Sequence, residues 1–143
     1  MDRFDWERTG VLIIDDEPVI QKLIEQVLRQ LGVNQIAKAL NGVEAMNLLQ
    51  KKQRIPDVIL CDMQMPEMNG LEFIAALRGL DDPDLNDIPI VACTTVSKQG
   101  VVKEALRLGI NGFIVKPFSV DVIQDRVGTV LETARIGQNG SLY

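Results

Sequence analysis

Short apolar runs alternate along the chain with stretches in which apolar side chains recur every three or four positions. Val11-Leu12-Ile13-Ile14, Val58-Ile59-Leu60-Cys61, Ile90-Val91-Ala92-Cys93 and Gly112-Phe113-Ile114-Val115 are continuous runs. Their length and composition, with turn residues on either side, predict strands buried on both faces. Gln35-Ile36-Ala37-Lys38-Ala39-Leu40 alternates and is more polar, which suits a strand at a sheet edge. Ile20, Leu23, Ile24, Val27, Leu28 and Leu31 recur at helical spacing, with Pro18 fitting the first turn and Gly32 the stop. Asn41-Gly42-Val43-Glu44 resembles a capping box with Asn in place of Ser or Thr and predicts a helix through about Gln53. Asn69 caps a helix from Leu71 to Arg78, and Ser97 caps one that ends at Leu108 before Gly109. Ser119 caps a last helix along Val120, Ile123, Val127, Val130, Leu131 and Ala134, in which Gly128 costs about 1 kcal/mol against Ala. The polar stretch from Asp81 to Asp87 reads as a solvated connector.

Strand then helix, five times over, predicts an α/β domain with a parallel sheet and helices on both faces. Right-handed crossovers then place every strand C-terminus along one edge of the sheet. The domain is read as residues 10–136, with a leader at 1–9 whose Phe4 and Trp6 lie on it and a tail at 137–143.

Composition sharpens this mainly by exclusion. At 143 residues, 46% hydrophobic and 24% charged, the chain has the balance of one soluble domain with a real core. Its apolar runs are too short to span a membrane, and Met1 to Arg8 is too charged for a signal peptide, so a cytoplasmic location is expected. A net charge of −5 without a basic run argues against nucleic-acid binding by the domain itself. Cys61 and Cys93 lie inside apolar runs and read as small buried side chains rather than a disulfide or metal pair. The chain has no histidine, which excludes Ser-His and Cys-His catalysis and histidine zinc sites. Any phosphohistidine must belong to a partner.

By itself Asp62 would pass for a solvated loop carboxylate: it ends an apolar run, and Pro66 and Asn69-Gly70 follow. The other strand ends change its weight. They carry Asp15-Asp16, Thr94 and Lys116, spread over about a hundred positions yet brought to one edge by the fold. Three close carboxylates repel one another unless a cation joins them, and Mg2+ is held by one or two carboxylates plus water. A lysine in the same cleft suits phosphoryl oxygens, and a threonine hydroxyl adds a neutral donor. Together they form a phosphoryl-transfer constellation with an Asp nucleophile.

Asp15-Asp16, Asp62 with Met65-Pro66 and Gly70, Thr94, and Phe113-Ile114-Val115-Lys116-Pro117-Phe118 resemble the receiver domains of bacterial two-component response regulators over residues 10–136. The shape is most similar to the stand-alone, chemotaxis-type regulator. That resemblance implies a flavodoxin-like doubly wound sheet, five parallel strands in the order 2-1-3-4-5 with five helices. It implies that Asp62 accepts phosphate from a partner, a histidine kinase or histidine phosphotransfer protein. Asp16, Asp62 and the main-chain carbonyl of Gln64 would bind Mg2+ (with Mn2+ able to substitute), and Asp15 would act through a water. Thr94 and Lys116 would hold the phosphoryl oxygens. Thr94 and Phe113 would be the switch residues that reshape the face of the fourth helix, last strand and fifth helix for a downstream protein. A cis Lys116–Pro117 peptide is expected as well.

The chain departs from the pattern where Phe113 replaces a frequent tyrosine, Thr95 a small alanine, and Val96 a polar residue that orients water. Gln64, Thr95 and Val96 are thereby the candidates for tuning access and dephosphorylation, and slow loss of phosphate is expected. Phe113, inside an apolar run, is also expected to pack in the core. Two rivals are a pseudo-receiver that never takes phosphate and a metal-dependent phosphatase of the haloacid-dehalogenase kind. The latter wants a second Asp two positions after the first, and Asp62-Met63-Gln64 lacks it.

Overall fold

The computed structural model describes residues 5–65, 67–95, 99–116 and 118–138. Among them strands and helices alternate as β1 (Gly10–Ile14), α1 (Pro18–Leu31), β2 (Gln35–Ala39), α2 (Gly42–Gln50), β3 (Val58–Asp62), α3 (Gly70–Arg78), β4 (Ile90–Thr95), α4 (Gln99–Leu108), β5 (Gly112–Lys116) and α5 (Val120–Gln138). Every strand pairing is parallel, and the order across the sheet is β2-β1-β3-β4-β5. This is the doubly wound arrangement expected from the sequence.

Successive strand side chains point to opposite faces, so each continuous apolar run supplies two cores at once. Leu12, Ile14, Ile59, Cys61, Ile90 and Ala92 meet Leu49, Phe73, Ile74, Leu77 and Ala105 of α2, α3 and α4. On the other face Val11, Ile13, Val58, Leu60, Val91, Cys93 and Ile114 meet Ile24, Leu28, Ile123, Val127 and Leu131 of α1 and α5. Fully burying a side chain of this size is worth roughly 1.5–3 kcal/mol. Trp6, in a short 3-10 turn at Trp6–Arg8, packs against the second cluster.

The local signals act as read at most helix ends. Pro18 opens α1, and Gly32 ends it in the left-handed region at φ 109°. The Asn41 side chain accepts from Glu44 N at 2.8 Å to cap α2. Asn69 and Glu72 form a reciprocal capping box that starts α3 at Gly70, one position before the expected Leu71. Val122 N donates to Ser119 Oγ at the start of α5, whereas Ser97 lies outside the described residues.

Four expectations need correction. α2 ends at Gln50 rather than Gln53, because Lys52 turns into the left-handed region at φ 51° and reaches across to Asp82 and Asp84. The stretch from Asp81 to Asp87 is only in part the solvated connector expected: Asp81, Pro83, Asp84 and Asp87 are exposed, but the stretch is anchored. It is a packed turn with Leu85 buried and Asn86 Nδ2 donating to Leu80 O at 3.0 Å. α5 continues through Gly137 and Gln138, inside the stretch read as tail. Finally, Phe113 is not a core residue: Ile114 is the buried side chain of β5, and Phe113 stands 38% exposed. β5 is an edge strand and α4 packs on β4, so an apolar run that would be covered at the sheet centre is open here.

Candidate functional site

The C-terminal ends of β1, β3, β4 and β5 converge on one edge. Asp15 follows β1 and is almost fully buried, Asp16 is half-buried, and Asp62 closes β3 at 4% exposure. One carboxylate oxygen from each of the three lies within 4.8 Å of the others. Lys116, at the end of β5, brings its ammonium to 3.4 Å from both Asp15 Oδ2 and Asp62 Oδ1. Asp15 and Lys116 are 101 positions apart in sequence, so only the closed sheet assembles this pair.

Each group is held by the local chain. Asp15 Oδ1 accepts from Glu17 N at 2.9 Å, and its own N donates to Ala39 O at 3.1 Å. Asp62 Oδ1 accepts from Gln64 N at 3.2 Å, so the residue expected to offer its carbonyl to a cation also steadies the Asp62 carboxylate through its amide. The turn beyond is tight. A Cβ on Gly70 would fall 2.6 Å from Met63 Cα and 2.7 Å from Asp62 O, so only glycine lets α3 start this close to the strand end. Glu67 sits in the left-handed region at φ 65°, strain of the kind that gathers at functional loops.

The electrostatics are unbalanced. Burial pushes the Asp62 carboxyl above its ordinary value, and the Gln64 amide and Lys116 only partly oppose this. For Lys116, burial is the largest single influence and acts downward. Asp62 and Asp15 together outweigh it, so the ammonium titrates above its ordinary value. Three carboxylates facing one ammonium are a donor set suited to a hard cation. Thr94 is buried one residue beyond Cys93, the register partner of Asp62. Its hydroxyl donates to Thr95 O at 3.5 Å, the long limit of a hydrogen bond, and so is weakly engaged. Thr95, half-buried, pairs in register with Lys116. The cysteines are inert by comparison: both are buried, and burial pushes the Cys93 thiol to about 12.

A family model for the response regulator receiver domain matches residues 11–128. The chain belongs to that family. Receiver domains are phosphoacceptor signalling domains of two-component systems. This one is 37% identical over 123 residues to a chemotaxis protein CheY homolog of Campylobacter jejuni, covering 86% of this chain and 92% of that one. The structure of Vibrio cholerae chemotaxis protein CheY4 matches with a TM-score of 0.76 at 30% identity, over 85% of this chain and 98% of the other. The receiver domain of the Pseudomonas aeruginosa sensor histidine kinase PA1611, solved with a magnesium ion coordinated in its active site cleft, matches with a TM-score of 0.74 at 27% identity. That match covers 86% of this chain and 97% of the other.

The receiver's Asp15, Asp16, Asp62 and Lys116 thus meet at one place, with Thr94 beside them. Val96, Pro66 and the Lys116–Pro117 peptide fall outside the described residues. Two polar side chains that sequence reasoning passed over are central to the fold. Gln21 is buried, and its amide nitrogen donates to Asp15 O at 3.0 Å and to Ala39 O at 2.7 Å. The signal was available, since Gln21 stands on the stripe of Ile24 and Leu28 that α1 buries, where a polar residue needs partners. Arg78, at the last position of α3, donates to Gly109 O, Asn86 O, Ile88 O and Asn111 Oδ1. A lone Arg at a helix end gives no hint of this from sequence.

Proposed function

We propose that Asp62 accepts a phosphoryl group from a phosphohistidine of a kinase or phosphotransfer partner. The supporting observation is the buried Asp62 carboxylate at the end of β3, with two further carboxylates and the Lys116 ammonium around it. An oxygen of Asp62 attacks phosphorus, the P–N bond of the partner's phosphoimidazole breaks, and the ring nitrogen keeps the electron pair. Lys116 then exchanges its contact with Asp62 for a phosphoryl oxygen, and the weakly held Thr94 hydroxyl is free to donate to another. Asp15, Asp16, Asp62 and the Gln64 carbonyl would hold Mg2+. When bound, that ion neutralises charge on the carboxylates and on the incoming phosphoryl oxygens.

The output lies on α4, β5 and α5. Leu106, Phe113 and Val120 are exposed apolar side chains there, a surface that loses water favourably when a protein docks. An outward Phe113 is free to turn in when Thr94 moves toward phosphate, which couples the acceptor to this face. The CheY-type relatives make chemotaxis the favoured pathway and the cytoplasm the expected location. No helix among the described residues is long and apolar enough to cross a membrane.

Incubation with acetyl phosphate and Mg2+, followed by intact mass measurement, tests the reading. One phosphoryl increment on the wild-type chain, absent from Asp62→Asn, is expected. An unmodified wild-type protein would make the chain a pseudo-receiver, and rapid turnover of unrelated phosphate esters would make it a phosphatase.

A further inference from the structure

The acidic cluster is held from behind by a side chain that bonds main-chain carbonyls rather than any of the three clustered carboxylates. Gln21 projects from α1 into the junction of β1 and β2, where it is 7% exposed. Both neighbours of its amide nitrogen are carbonyl oxygens, Asp15 O and Ala39 O, so the nitrogen end must face them. Ala39 O also accepts from Asp15 N, which closes a small ring of bonds between the end of β2, the end of β1 and the first turns of α1. Asp15 is therefore fixed at every polar group: N on Ala39, O on Gln21, Oδ1 on the Glu17 amide, Oδ2 on Lys116. Among the described residues only Gln21 donates to its carbonyl, and that carbonyl sets the plane of the peptide leading into Asp16. The half-buried Asp16 carboxylate has no hydrogen-bond or ion-pair partner among the described residues, so its direction depends on the backbone that carries it.

We propose that Gln21 is a positioning residue for the cation. By locking the Asp15–Asp16 peptide it aims the Asp16 carboxylate at the point shared with Asp15 and Asp62. This rests on reading the cluster as a cation site. Groups that orient metal ligands without touching the metal commonly change affinity by about tenfold or more when removed.

The test titrates Mg2+ into the unphosphorylated protein by calorimetry, at a temperature where every variant is folded. Gln21→Met keeps the shape and removes both donors, and a Kd weaker by about tenfold is expected. Ile24→Ala, which empties buried volume in the same helix without touching the strand ends, controls for loosening of α1 and should leave Kd within about twofold. Should Gln21→Met not fold, Gln21→Asn, one methylene too short to reach both carbonyls, serves in its place with a smaller loss in the same direction. Wild-type affinity in the Gln21 variant, or an equal loss in Ile24→Ala, overturns the proposal. Absence of Mg2+ binding by the wild-type chain would instead remove the cation site itself, and the proposal with it.

Discussion

The two ends of the sheet handle charge in opposite ways. At the C-terminal edge three carboxylates gather, the Lys116 ammonium lies 3.4 Å from two of them, Asp15 and Asp62, and burial raises the Asp62 pKa. At the other edge Arg78 places its guanidinium among carbonyl oxygens at 2.9–3.1 Å and the Asn111 side chain, while Asn111 Oδ1 also accepts from Ile90 N at 2.8 Å. There, Arg78 joins the end of α3, the turn before β4 and the end of α4 into one satisfied network. One edge is a closed hydrogen-bond network; the other sets three carboxylates around a single ammonium. On the proposed function, a domain that takes phosphate and a cation gathers like charge where those ligands relieve it, and anchors the rest.

The comparison breaks most visibly at Arg78. Replacing it by Met strands the carbonyls of Gly109, Asn86 and Ile88, the last two part-buried, and should cost about 2 kcal/mol, roughly a 7 °C fall in Tm for a domain of this size. Acetyl phosphate labelling of Asp62 should survive wherever the variant is folded. A loss below about 1 kcal/mol in a urea melt would mean that this edge is not the anchor.

Asp62→Asn should act in the other direction. Relieving the buried repulsion should raise the metal-free Tm by a few degrees, on the order of 1 kcal/mol. Because burial raises the Asp62 pKa in the folded state, its protonated form favours folding below its ordinary 3.8, and that contribution is lost as pH rises through the shifted value. The gain from Asp62→Asn should therefore vanish near the acid limit and grow across that window. Added Mg2+ should stabilise the wild-type fold through preferential binding and do so much less in the variant. Melts that coincide at every pH and metal concentration would argue against a frustrated edge.

The smallest stability effect is expected at Phe113. With its ring 38% exposed, Phe113→Ala should cost less than about 1 kcal/mol, far below the 3–5 kcal/mol of a core phenylalanine. Its consequence should appear instead in capture of a partner by the phosphorylated chain. A core-sized loss of stability would return Phe113 to the interior.

The legible parts of the fold were those set by local rules. Continuous apolar runs predicted a sheet covered on both faces, and Pro18, Gly32, Asn41 and Asn69 marked helix ends because capping is a matter of a few neighbouring residues. The cluster of Asp15, Asp16, Asp62 and Lys116 was legible because parallel connectivity forces strand ends together. What escaped depended on partners far along the chain. α2 stops early as Lys52 finds Asp82 and Asp84, the stretch from Asp81 to Asp87 is packed because Leu85 finds the core, and Arg78 and Gln21 bind carbonyls that carry no sequence signature. Phe113 was misplaced because a run of apolar residues does not say whether its strand lies in the middle of a sheet or at its rim.

Lys116 enters the acidic cluster from the last strand of the sheet, one that pairs with β4 alone. The chemistry of the site is thus a property no earlier portion of the polypeptide can have. A chain that has formed β1, β3 and β4 but not yet docked β5 carries three facing carboxylates with no ammonium beside them. Fraying of that rim strand recreates the same condition in the finished protein. On the role proposed for Lys116, readiness to receive the signal doubles as a test of completeness: the domain can be addressed only while its edge is shut.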